Sequence, residues 1–292
     1  MLPFSWDNGE GGIFNIQERN EKSEENMVQV KDLEIGNGIP KICVPIVEQT
    51  QEQILNKAQE MSGDVVDLVE WRVDFYKDVW DFGKVAQTAS LLQSILGKIP
   101  LLFTFRTARE GGGQEISFEN YEGLLLHMAK SGCVDLIDVE VFRGYDKMQR
   151  KRKEWKSPDS CNQPIKNLIR ELSKEAAVIG SYHDFEKTPS REEILRRLFF
   201  MDKMGAGILK LAVMPQEKED VIRLMETTLL ANRLIMDKPI ITMSMGVLGT
   251  ITRVAGETFG SAVTFGCVGK ESAPGQIEAG RLRQGMEILH LD

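Results

Sequence analysis

Cysteine is scarce in this chain, and what there is does not cluster. Cys43, Cys133, Cys161 and Cys267 are widely separated and form no Cys-x-x-Cys pair. That argues against a disulfide framework or a zinc site, and suits reduced thiols, mostly in strands, of a cytoplasmic protein. Long apolar runs are missing: none approaches the roughly 20 residues of a membrane span. No charged-then-apolar signal segment opens the chain. Basic residues do not predominate either. The formal net charge of -8 argues against general nucleic-acid binding, which needs a basic surface. Finally, no Gly-x-Gly-x-x-Gly turn follows the first predicted strand, as a dinucleotide-binding fold would require.

What is present is enough to build a core. The 292 residues are 42% hydrophobic and 27% charged, the balance of an ordinary enzyme-sized domain. Residues 1–26 are polar and mostly acidic, with Asn-Gly and Gly-Gly breaks, and read as a disordered leader. A single domain is expected from Met27 to residue 292. Within it, short apolar runs alternate with amphipathic stretches. Strands are predicted at 42–47, 65–72, 100–106, 134–141, 177–183, 207–213, 239–245 and 262–268. Helices are predicted at 51–61, 82–96, 117–131, 163–175, 190–204, 216–236, 249–257 and 275–289. Eight strands, each followed by a helix, are the α/β pattern of a (β/α)₈ TIM barrel. A doubly wound open sheet is the alternative.

The barrel makes a statement about parity, because strand side chains alternate inward and outward. Leu68, Glu70 and Arg72 share one face. So do Leu102, Thr104 and Arg106; Leu136, Asp138 and Glu140; Ile179, Ser181 and His183; Ile208, Lys210 and Ala212; Ile241, Met243 and Met245. The polar members gather toward the C-terminal ends of the strands, where barrel enzymes place their chemistry. Lys210 stands out among them. It lies mid-strand with no acidic neighbour in sequence. It is either an edge lysine with its ammonium in water, or a desolvated amine whose lowered pKa makes it a nucleophile. A basic run at residues 147–156 is expected to be a solvated insertion rather than a nucleic-acid or lipid site.

Several strings then occur in a telling order: Glu70-Trp71-Arg72-Val73-Asp74, Phe103-Thr104-Phe105-Arg106, Glu110-Gly111-Gly112, Ser181-Tyr182-His183-Asp184-Phe185, Ile208-Leu209-Lys210, Ile241-Thr242-Met243-Ser244-Met245-Gly246, Thr252-Arg253 and Ser272-Ala273-Pro274-Gly275-Gln276. From about Met27 to its end the chain resembles the type I 3-dehydroquinate dehydratases of the shikimate pathway. The resemblance implies a lyase that removes water from 3-dehydroquinate without metal or other cofactor. It implies that Lys210 forms a Schiff base with the substrate ketone, that His183 is the general acid/base, and that Glu110 orients His183. Arg253 and Gln276 match carboxylate-binding positions, Glu70, Arg72 and Arg106 match groups that hold ring hydroxyls, and Ser272 lies on a closing loop. Met243, Met245 and Phe265 match the apolar wall. Asp138 and Glu140 read either as buried support for the site or as members of an ion pair. His127 and His290 are expected to be structural. Family members often dimerise, so a homodimer is expected, with no nucleic-acid or membrane partner.

Two rival functions remain at the level of sequence. A lysine-dependent aldolase would share Lys210 but would not require His183, Arg253 and Gln276. No phosphate-cradling glycine loop is evident after the last two strands, which counts against a sugar-phosphate substrate. A catalytically dead ligand-binding barrel is the other rival, and the retention of both Lys210 and His183 argues against it.

Overall fold

The computed structural model describes residues 27–61, 63–143, 162–235, 237–269 and 275–291. The expected leader at 1–26, the basic run at 147–156 and Ser272 lie outside the described residues. The chain begins with a hairpin, β1 (Val28–Val30) and β2 (Leu33–Ile35), paired antiparallel. Eight further strands form one parallel sheet: β3 (Lys41–Ile46), β4 (Leu68–Arg72), β5 (Leu101–Thr104), β6 (Leu136–Glu140), β7 (Ala177–Asp184), β8 (Ile208–Val213), β9 (Ile240–Ser244) and β10 (Val263–Phe265). β10 pairs with β3, so the sheet curls into a nearly closed (β/α)₈ barrel.

The last joint, between β9 and β10, is stitched differently from the others. Ala262 donates its N–H to the Ile240 carbonyl at 2.8 Å. Beside it, the Ser261 hydroxyl accepts from the Thr242 N–H at 3.0 Å and donates to the Thr242 carbonyl at 3.1 Å. A side chain thus does there what a backbone ladder does elsewhere.

Helices α1 (Gln51–Gln59), α2 (Phe82–Leu96), α3 (Phe118–Ser131), α4 (Gln163–Leu172), α5 (Arg191–Lys203), α6 (Lys218–Leu234) and α9 (Ala279–Ile288) lie between and after the strands. Their starts are written locally. Thr50, Asp81, Ser117 and Ser190 each accept a first-turn N–H through the side chain, and Thr50 with Gln53 completes a capping box. The single helix expected at 249–257 is instead two short ones, α7 (Ile251–Val254) and α8 (Gly256–Phe259), separated at Ala255.

Two apolar clusters divide at the sheet. The outer one joins Val69, Trp71, Phe103, Phe105, Leu209 and Leu211 to helix residues such as Leu92, Leu124, Leu168 and Leu198. The inner one fills the barrel with Cys43, Leu68, Leu102, Leu136, Ile179, Ile208 and Ile241, and includes Val30 and Ile35 of the hairpin. The hairpin is therefore a plug on the floor of the barrel. Lys31 pins it there: its ammonium donates to the carbonyls of Gly97 and Ile99 and pairs with Asp135 at 3.0 Å. The expectation that the cysteines lie mostly in strands needs correction. Of the three described, all free thiols, only Cys43 is in a strand; Cys133 precedes β6 and Cys267 follows β10, where loop backbone reaches the core.

Candidate active site

Above the apolar floor, the same inward positions turn polar. Lys210 projects from the middle of β8 and is 2% exposed, so it is not an edge lysine in water. Its ammonium lies 3.4 Å from Glu70 Oε1 on β4 and 3.4 Å from Asp138 Oδ2 on β6. The ring of Phe265 on β10 sits 4.4 Å from it. Four strands thus meet at one nitrogen, and the acidic partners missing from its sequence neighbourhood come from 140 and 72 residues away.

Each carboxylate is held in turn. Thr104 Oγ1 donates to Glu70 Oε1 at 2.9 Å, and Ser181 Oγ donates to Asp138 Oδ1 at 2.6 Å. Arg106, just past β5, is the hub. One terminal nitrogen lies 2.8 Å from Asp138 Oδ2; the other donates to Ser181 Oγ at 2.9 Å and to Glu140 Oε1 at 3.3 Å, and faces Glu110 Oε2 at 3.5 Å. Glu140 also takes the backbone N–H and the hydroxyl of Thr107, at 2.8 and 2.9 Å. Burial opposes charge on Arg106, but Asp138, Glu140 and Glu110 outweigh it and hold the guanidinium protonated above its ordinary range. Burial likewise works against the Asp138 carboxylate, yet Arg106, Lys210 and the Ser181 hydrogen bond bring its pKa below the usual value.

His183 stands two residues beyond Ser181 on β7, in register with Ala212 of β8. Glu110 Oε2 accepts the His183 backbone N–H at 3.0 Å and lies 3.1 Å from Nδ1. That oxygen also faces the Arg106 guanidinium, so it is an acceptor on every side. The imidazole hydrogen therefore belongs on Nδ1, and Nε2 carries the lone pair. Burial, reinforced by Arg106, Lys210 and Arg72, pushes the His183 pKa well below 6.5, so the ring is neutral near pH 7. Burial, reinforced by Glu140, pushes Glu110 well above the ordinary carboxylate value, against the opposing pull of Arg106.

Glu110 reaches His183 from a very tight turn. Gly111 has φ +82°, and a Cβ there would lie 2.3 Å from the Phe185 ring. A Cβ on Gly112 would lie 1.8 Å from the Arg106 carbonyl oxygen. The Glu-Gly-Gly string is what lets a carboxylate arrive here.

Met243 and Met245 are buried in the inner cluster with Ala212 and Phe265. Arg253, from α7, is buried and donates to the Phe265 carbonyl at 3.0 Å. Gln276 is also buried, and the turn before it presses close: a Cβ on Gly275 would lie 2.5 Å from the Gly246 carbonyl oxygen. Arg72 is held apart from the Arg106 hub by a two-bond pair with Asp74, both contacts at 2.8 Å. Thr107 was not anticipated; Thr104 and Ser181 were expected on the inward face and Asp74 stood in a string, but none of the three was given a role. His127 lies on the surface of α3 against Phe82, while His290 lies just past the end of α9, outside the helix, and pairs with Glu257. Cys43 is close enough to feel Glu70 and Lys210, but burial raises its thiol pKa and keeps it inert.

This constellation, a buried lysine among carboxylates with a neutral histidine held by a glutamate one strand away, can be compared with known proteins. A family model described as Type I 3-dehydroquinase matches residues 42–292. The chain belongs to the type I 3-dehydroquinase family. It is accordingly a hydro-lyase. It is 44% identical over 269 residues to the 3-dehydroquinate dehydratase of Clostridium botulinum strain Eklund 17B, covering 90% of this chain and 98% of that one. It is 43% identical over 263 residues to that of Clostridioides difficile strain 630, covering 90% and 97%. Among solved structures it is similar to the type I 3-dehydroquinate dehydratase of Clostridium difficile with covalent modified comenic acid, at 42% identity and a TM-score of 0.81, covering 90% and 97% of the two chains. It is likewise similar to the Geobacillus kaustophilus enzyme, at 36% identity and the same TM-score, covering 90% and 96%. A 3-hexulose-6-phosphate synthase at 15% identity and TM-score 0.54 shares the fold alone. Among the described residues no helix is long and apolar enough to cross a membrane.

Proposed function

We propose that this type I 3-dehydroquinase converts 3-dehydroquinate to 3-dehydroshikimate, the third step of the shikimate pathway, through a Schiff base on Lys210. The observation that carries the reading is the ammonium of Lys210 held between Glu70 and Asp138, with His183 on the neighbouring strand paired to Glu110. The Lys210 amine adds to the substrate ketone; loss of water gives an iminium, which keeps the positive charge that Glu70 and Asp138 already balance. The iminium draws electrons from the adjacent carbon and makes its proton acidic. His183, neutral and with Nε2 unprotonated, takes that proton and leaves an enamine. The same imidazolium then protonates the departing hydroxyl, so both groups leave from one face in a syn elimination. Glu110 balances the charge while His183 holds the proton. Hydrolysis of the iminium releases product and restores the amine. The net change is loss of one water.

Arg253 and Gln276 would take the substrate carboxylate, a group that a guanidinium suits. Glu70, Arg72 and Arg106 would take ring hydroxyls, Ser272 would close over them, and Met243, Met245 and Phe265 would form the apolar wall. The iminium is the electron sink, so the chemistry asks for no metal or other cofactor. The catalytic domain spans residues 27–292 and functions as a homodimer in the cytoplasm. Borohydride reduction in the presence of substrate, followed by peptide mass analysis, tests the central step. The expected result is a single adduct on the peptide carrying Lys210, absent from Lys210→Ala, which has no turnover. An adduct on another lysine, or none, would sink the Schiff-base assignment.

A further inference from the structure

Asp74 ends the Glu-Trp-Arg-Val-Asp string and has no part in the chemistry above. It lies in the short 3-10 turn after β4 and is 1% exposed. Each carboxylate oxygen takes two donors. Oδ1 accepts Arg72 Nε at 2.8 Å and the Arg106 backbone N–H at 3.2 Å; Oδ2 accepts Arg72 Nη2 at 2.8 Å and the Gly113 N–H at 2.8 Å. Its main-chain carbonyl accepts from Gln114 Nε2 at 2.7 Å. The donors belong to three segments: the ends of β4 and β5, and the turn that follows Glu110.

The geometry has two consequences. Arg72 is clamped on its Nε/Nη2 edge by Asp74 and stacked on Phe75 at 5.0 Å, which leaves the Nη1 side to meet a ligand. The turn bearing Glu110 has no slack, because neither Gly111 nor Gly112 has room for a Cβ, and Asp74 holds its far end. We propose that Asp74 is a positioning residue, fixing the Arg72 guanidinium for the substrate and, through Gly113 and Arg106, aiming Glu110 at His183. This rests on the dehydratase reading of the site. A carboxylate is required because all four partners at its oxygens are donors. An amide of the same shape would set its own N–H₂ against one pair of them.

The test is a double-mutant cycle of Asp74→Asn with Arg72→Met, measuring KM, kcat and Tm on the full chain. Asp74→Asn is expected to raise KM roughly tenfold in the wild-type background, and hardly at all in Arg72→Met, since that effect passes through Arg72. Its kcat should fall roughly tenfold in both backgrounds, through the displaced Glu110 turn. Additive KM effects, or a lowered Tm with unchanged kinetics, would make Asp74 a structural tie only and overturn the proposal. Should the Asn variant not fold, Asp74→Glu, which keeps the charge on a longer arm, must show the same KM coupling to Arg72; its absence overturns the proposal equally. Borohydride trapping separates this inference from the reading beneath it. A wild-type enzyme that does not trap at Lys210 removes both. One that traps, while Asp74→Asn keeps wild-type KM and kcat, removes this inference alone.

Discussion

The floor and the mouth of the barrel are built from the same strands at the same inward parity, with opposite materials. On β6, Leu136 faces the floor and Asp138 faces the mouth, two residues apart and both fully buried. The floor joins Leu136 to Leu68, Leu102, Ile208 and the hairpin residues Val30 and Ile35. Its cohesion is apolar area removed from water, about 1.5–3 kcal/mol for each such side chain. The mouth gathers Glu70, Asp138, Glu140, Glu110, Arg106 and Lys210, charges whose desolvation cost is offset only because each has several partners. The floor supplies stability on which the mouth can draw, and the mouth supplies a water-poor site where charge–charge contacts are strong.

The sharpest way to break that contrast is at the mouth alone. His183→Ala is expected to lower turnover by about 10²–10⁴-fold, while still forming a borohydride-reducible adduct on Lys210, more slowly. Full turnover would remove His183 from its role. Next in size, Asp138→Ala leaves Lys210 and Arg106 short of a buried counter-charge and should cost about 3–5 kcal/mol of stability. Leu136→Ala, two residues below, should cost about 2–5 kcal/mol. Urea unfolding would therefore rank them together, whereas kcat at a temperature where both are folded should fall only for Asp138→Ala. Equal kcat in the two variants would erase the distinction between floor and mouth.

The smallest effect concerns pH. The native His183 pKa lies well below 6.5, so the unfolded chain takes a proton that the folded one refuses. Its contribution is present above pH 6.5 and is lost as pH falls below it. Glu110 runs the other way: its native pKa lies above 4.5, so its contribution is present at low pH and is lost as pH rises through the native value. His183→Gln isolates the histidine. From pH 7 to pH 5 the wild type should lose about 1–2 kcal/mol more than this variant in urea unfolding. Parallel losses would show that His183 keeps its solution pKa in the fold.

Much of the barrel was legible because alternation and helix capping are local. Strand order, inward parity and most helix starts follow from neighbours in sequence. The ends of the strands were not: β10 stops at Phe265, short of the expected residue 268, although its partner β3 runs on to Ile46, because Cys267 bonds instead to the backbone of Ile277 and Ala279. The floor hairpin was also missed. Val-Gln-Val and Leu-Glu-Ile alternate as strands should, but their turn, Lys31-Asp32, lacks the glycine that usually announces a hairpin, and Lys31 itself takes φ +52°. Site residues were legible by type and position, whereas their partnerships were not. Nothing near Lys210 names Glu70 or Asp138, since only the register of β4, β6 and β8 brings them together. Asp74 was visible in its string, but a carboxylate two residues after an arginine gives no hint that it also grips the backbone of two other segments.

The Ser261 joint has a bearing on how such a cylinder is held shut. Seven of its seams are continuous ladders of main-chain bonds, each able to share load along its length. The eighth relies on a hydroxyl fastened to both backbone groups of one residue, Thr242, and a single neighbouring bond. It is the clasp of the hoop. The strands it joins carry Met243 and Phe265, so any widening there is felt first by the apolar wall facing Lys210, and last by the carboxylates on the far side.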